Sequence, residues 1–110
     1  MGLQAVNNKF LSMLGLAKRA GATIIGTDLV TKALPSGRVK LVIYAPDSSL
    51  NTEKRITDKC TFYSVKCIKS VYGSQELSHA LGKLSSVCVI GVCDENFSKE
   101  LISLISKETR

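Results

Sequence analysis

The chain has 110 residues, 45% apolar and 22% charged, with a mean hydropathy of +0.14. That profile fits one folded domain, able to bury roughly 60–70% of its unfolded surface without metal or disulfide staples, and it excludes a disordered chain. Fifteen Lys and Arg against nine Asp and Glu give a net charge of +6, which points to an acidic partner or to a charge that only keeps the protein in solution.

Apolar spacing predicts a first helix over 7–20, with Phe10, Met13, Leu14 and Ala17 on one stripe and Gly21 as its stop. Thr23 to Ile25 reads as a short strand closed by Gly26, and Thr27 to Leu34 as a helix ended by Pro35-Ser36-Gly37. In that helix a rotation of about 100° per residue groups Leu29, Val30, Ala33 and Leu34 inward and Asp28, Thr31 and Lys32 outward. Val39 to Ala45 is a nearly unbroken apolar run, as expected of a strand covered on both faces. A polar helix follows from about Ser49 to Tyr63, striped by Ile56, Cys60 and Tyr63. A third strand falls over Val65 to Ile68. Ser74 is positioned to cap a short helix through Leu77, Ala80 and Leu81 that stops at Gly82. Val87 to Val92 is a second buried-type strand, and Asp94 caps a last helix striped by Phe97, Leu101, Leu104 and Ile105. This alternation predicts a three-layer α/β/α sandwich around a mixed sheet of about four strands, in a single domain over 1–110.

The chemistry-bearing residue types narrow the function. No Walker-type G-x-x-x-x-G-K-[ST] loop and no G-x-G-x-x-G occurs. His79 is the only histidine and is expected as a solvated helix residue without catalytic partners. Cys60, Cys67, Cys88 and Cys93 contain no C-x-x-C pair, so the expectation is reduced, structural thiols and no metal or cofactor. Nothing in the chain asks for an enzyme. No apolar run nears the ~18 residues of a membrane span, and the start Met1-Gly2-Leu3 is not followed by the Ser or Thr a myristoylation site needs, since Val6 stands there. A cytoplasmic protein without membrane contact is expected, and a monomer, because no apolar stripe is left over for a dimer seam.

Charge is uneven along the chain. Lys9, Lys18, Arg19, Lys32, Arg38 and Lys40 face one acid, Asp28, in residues 1–46, whereas residues 47–110 are nearly balanced. A local basic excess is what a polyanion-binding surface requires. Within it, Gly26 to Lys32 stands at a strand-to-helix junction and places a carboxylate, a hydroxyl and an ammonium on one helix face. Lys32 is suited to phosphate or guanine O6/N7 and Asp28 to base amino or imino groups. The competing reading is an ordinary Asp28–Lys32 pair on a solvated helix.

The run IIGTDLVTKALPSGRVKLVIYAPDSS resembles the signature of the ribosomal-protein L-seven-Ae / L-thirty-e superfamily, and the resemblance continues through LNTEKRITDKC, SQELSHALGK and VIGVCDENFSKELISLI. LVTKAL and NTEKRITDKC are most similar to its small bacterial YlxQ-type members. The resemblance implies a three-layer α/β/α fold that binds RNA kink-turns, sharply bent helices with tandem sheared G·A pairs, in a ribosomal or ribosome-linked ribonucleoprotein. It implies an RNA contact by Gly26, Thr27, Asp28 and Lys32, where Gly26 lets backbone approach the RNA. It implies a second RNA contact by the loop Gly82 to Ser86, with Leu84 and Ser85 offered to a flipped-out nucleotide beside Lys83; the competing reading is a short connecting loop whose Leu84 tucks into the sheet. Lys18, Arg19 and Arg38 would then be outer phosphate contacts. Archaeal and eukaryotic relatives usually carry Asn at the position of Asp28 and Glu at that of Leu29. Two other uses of such a fold are an RNA-capturing accessory to a separate RNA-modifying enzyme and a protein-interaction adaptor.

Overall fold

The structure, a computed structural model, describes residues 8–108, and of the last three of these the backbone only. The expected helix start at Asn7 and the Met1-Gly2-Leu3 and Val6 reading lie outside the described residues. Helix α1 spans Lys9–Arg19, with the Asn8 side chain accepting from the Leu11 N–H at 3.0 Å. Strand β1 (Thr23–Ile25) leads into α2 (Thr27–Ala33) and a 3₁₀ turn, Leu34–Ser36. Then come β2 (Leu41–Tyr44), α3 (Leu50–Phe62), β3 (Lys66–Lys69), α4 (Ser74–Ala80), β4 (Val89–Val92) and α5 (Glu95–Glu108).

Every expected helix and strand is present; β1 has its expected bounds, β2 and β4 are shorter than their apolar runs, and β3 is shifted by one residue. The sheet is mixed, in the order β1-β4-β2-β3. Strand β4 runs antiparallel to both neighbours, Ile25 pairing with Ile90 and Val42 with Gly91, while β2 and β3 are parallel. The two central strands are buried on both faces, which is why their sequences show no polar alternation. Alternate residues feed two cores. Leu41, Ile43, Ile90 and Val92 pack with Phe10, Leu14, Leu77 and Leu101 from α1, α4 and α5. Val42, Tyr44 and Val89 pack with Val30 of α2, Leu34 of the 3₁₀ turn, and Ile56 and Cys60 of α3. Helices therefore cover both faces. The edge strand β3 exposes Lys66 and Lys69, charges that discourage pairing with another sheet.

Caps explain most boundaries. The Ser49 hydroxyl accepts from Thr52 N–H at 3.1 Å, and Asp94 Oδ1 from Phe97 N–H at 2.9 Å. For α4 the expected cap is displaced. Gly73, not Ser74, is the N-cap; its N–H donates to Glu76 Oε1 at 3.0 Å. Ser74 is the first helical residue and is held from outside the helix, its N–H and Oγ donating to the Asp47 carboxylate at 2.8 and 2.6 Å. Those two bonds hold the Asp47 carboxyl below its ordinary range.

All four cysteines are free thiols packed in or against the α2–α3 core. Donation of its S–H to Cys60, together with burial, pushes the Cys67 thiol up, so it stays neutral. Among the described residues no cluster of three His, Cys, Asp or Glu could hold a metal ion, and no helix is long and apolar enough to cross a membrane.

Candidate nucleic-acid interface

Where β1 ends, the chain turns into α2 through Gly26, whose backbone (φ 114°, ψ 144°) lies in a region that side chains strongly disfavour. Both sides of this peptide are anchored. The Gly26 N–H donates to Val89 O at 2.9 Å, and its carbonyl accepts from Val30 N–H at 3.0 Å. A Cβ placed on Gly26 would meet, among the described residues and beyond its own chain neighbours, no atom within 4 Å. The glycine therefore presents bare backbone to open space.

Val89 is also where the loop after α4 rejoins the sheet. The Gly26–Val89 bond thus sets the start of α2 beside the end of the 82–88 loop. Ala45 N–H donates to Cys88 O at 2.8 Å, bringing the β2–α3 turn to the same end of the sheet. Asp47 in that turn holds the start of α4, and a shallow pocket forms between Asp47, Gly73, Ser74, Gln75, Glu76 and Ser86.

The structure brings Gly26, Thr27, Asp28 and Lys32 together on and beside the outer side of α2, with Lys83, Leu84 and Ser85 exposed in the adjoining loop. Leu84 is fully exposed and does not tuck into the sheet. Two expectations for α2 change. Leu29 is 60% exposed, not inward, because the buried line runs through Val30 and Leu34 and Leu29 projects away from it. Thr31 is half-buried, and its Oγ1 donates to Thr27 O at 2.7 Å, so its hydroxyl serves the helix backbone.

The remaining cations sit further off. Lys18 and Arg19 line a groove between α1 and α4 with Gly15, His79, Ala80 and Gly82, where the loop after α4 begins. Arg38 follows Gly37 beyond the far end of α2. Its neighbour Lys40 bonds through its N–H to Val92 O, at the opposite end of β4 from Val89. His79 is exposed.

One residue of the corner was not singled out by the sequence reading. Arg55 of α3 places Nη1 3.0 Å from Asp28 Oδ1, so the carboxylate pairs across two helices and not with Lys32. The topology explains the approach. Strands β1, β2 and β3 share one direction and are joined through α2 and α3, so these helices run parallel on one face of the sheet. The only sequence signal was the i, i+4 spacing of Arg55 and Lys59 beside the buried Ile56. Lys32 and Lys59 lie one turn beyond Asp28 and Arg55, exposed and without an ion pair among the described residues.

A family model described as "Ribosomal protein L7Ae/L30e/S12e/Gadd45 family" matches residues 8–102. The chain belongs to that family. It is 41% identical over 97 residues to "RNA-binding protein YlxQ" of Bacillus subtilis (strain 168), covering 88% of this chain and 95% of that one. A protein of the same description from Enterococcus faecium is 34% identical over 97 residues, covering 88% and 91%. Among solved structures, a Bacillus halodurans protein described as of unknown function superposes with a TM-score of 0.85 at 41% identity, covering 91% of this chain and 99% of that one. The Giardia lamblia 15.5kD RNA binding protein shares the fold, with a TM-score of 0.74 at 17% identity over 88% of this chain and 82% of its own. The family's fold is thus the α/β/α arrangement described above.

Proposed function

We propose that this protein binds structured RNA, of the kink-turn type, at the corner formed by Gly26 to Lys32 and the 82–88 loop, as part of a ribosomal or ribosome-linked particle. The observation that carries the reading is the anchored, uncovered Gly26 backbone beside exposed Lys32. A bent RNA backbone can approach the glycine closely because no Cβ stands in the way. Lys32 then meets a phosphate or a guanine edge, and Asp28 accepts base N–H groups. Leu84 offers an apolar surface against which an unstacked base can pack, as bases splayed out of a helix are open to such contacts. The descriptions of two relatives as RNA-binding proteins support the same class of partner.

The test is binding to a kink-turn duplex against a duplex whose sheared G·A pairs are converted to Watson–Crick pairs. The proposal expects clear preference for the kink-turn; equal affinity for both would reduce it to general polyanion binding. A second reading, a protein-interaction adaptor, draws on exposed Leu29 on the outer face of α2. It expects a tight protein partner and no salt-sensitive RNA binding.

A further inference from the structure

Asp28 is the one acid among the first 46 residues, and it stands inside the corner proposed to meet RNA. Alone, a carboxylate there would repel phosphates and, one turn before Lys32, would draw that ammonium away from the ligand. The structure gives it another partner. Arg55 Nη1 reaches Asp28 Oδ1 at 3.0 Å, with the two side chains 48% and 77% exposed. A pair this open adds little to folding. Its effect on the surface is larger, because it cancels the negative charge and leaves Lys32 unpaired. Oδ1 is engaged by the guanidinium, while a carboxylate has two oxygens with which to accept hydrogen bonds.

We propose that Arg55 is a positioning residue for RNA recognition: it neutralises and orients Asp28 so that the free carboxylate oxygen accepts an N–H of a base edge while Lys32 stays available. The proposal deepens the RNA-binding reading and rests on it. The partner chemistry is specific. A held carboxylate favours a base that presents amino or imino donors, as guanine does on its Watson–Crick edge, and rejects an edge that presents only acceptors.

Arg55→Ala, Asp28→Asn and the double variant separate positioning from direct contact. Local charge falls by one in Arg55→Ala and is restored in the double variant. The readout is affinity for the kink-turn duplex and its Watson–Crick control, with thermal melting confirming that each variant folds. Arg55→Ala is expected to weaken kink-turn binding by about tenfold. The double variant is expected to regain most of that loss, since a neutral amide needs no counter-ion. A double variant as weak as Arg55→Ala would show Arg55 acting on the RNA itself and would overturn the positioning role. Unchanged binding by Arg55→Ala would overturn it as well. Wild-type protein that binds both duplexes alike would overturn the kink-turn reading first, and this inference with it.

Discussion

Gly26→Ala tests whether the backbone at the corner is there for the fold, for the ligand, or for both. Its φ of 114° and ψ of 144° lie where a Cβ is strained, although the added methyl would find no atom of the described residues within 4 Å beyond its chain neighbours. The stability loss is therefore conformational, about 1–3 kcal/mol. Relaxing the strain instead would shift a peptide anchored at 2.9 Å to Val89 and 3.0 Å to Val30. Gly37→Ala is the matched control, since Gly37 (φ 78°, ψ 1°) sits in the left-handed well and is also open. Alanine there should lose about 1 kcal/mol. For a chain of this length each kcal/mol lowers Tm by roughly 3–5 °C, so circular-dichroism melts should rank wild type above Gly37→Ala above Gly26→Ala. Binding is then measured well below every melting point. Gly26→Ala should lose kink-turn affinity, because its methyl occupies the approach path, whereas Gly37→Ala should keep it. Wild-type melting and wild-type affinity in Gly26→Ala would refute the reasoning at both levels.

Lys32→Ala should weaken kink-turn binding by about 1–3 kcal/mol, measured by fluorescence anisotropy; Arg38→Ala, at the far end of α2, should change it less. Leu84→Ser should leave stability within about 0.5 kcal/mol, because Leu84 touches no core, yet reduce affinity in the same assay. For Asp47 the hydrogen bonds from Ser74 lower the folded carboxyl below its ordinary value of 3.8, so the unfolded chain binds the proton more readily. The resulting stability is complete above about pH 5 and lost as pH falls through the folded value. Asp47→Asn should flatten the acid limb of a urea-denaturation series against pH.

The fold was legible because its signals are local. Apolar runs at 39–45 and 87–92, helical stripes such as Phe97-Leu101-Ile105, and caps at Ser49 and Asp94 each read within a few residues. The site was half legible for the opposite reason. Gly26 and Lys32 belong to one segment, so sequence placed them together. The Gly26–Val89 bond, the Asp28–Arg55 pair and the Asp47–Ser74 bonds join residues 27 or more positions apart, and no periodicity encodes them. Leu29 misled because apolar residues i and i+1 cannot both face the core centre, and only the packed partners decide which does. In α4, similarly, an Asp from another element took over the capping role that Ser74 was expected to play.

The geometry of the corner is finally set by the strand beneath it. Because β4 lies between β1 and β2, α2 crosses above β4, and Val30 rests on Gly91. A Cβ on Gly91 would lie 3.4 Å from one methyl of Val30 and 3.4 Å from one of Val39, so alanine fits at the limit of ordinary contact. The two further methyls of valine do not fit without moving α2 outward. Gly91→Val should therefore lose about 1–3 kcal/mol through overpacking. It should also separate Asp28 from Arg55, because α3 stays seated through Ile56 and Cys60 while α2 lifts. Gly91→Ala should keep both stability and kink-turn affinity; Gly91→Val should lose affinity even where it is fully folded. If the valine variant bound RNA as wild type does, the position of α2 against α3 would have no part in recognition, and the corner would act through Gly26 and the loop alone.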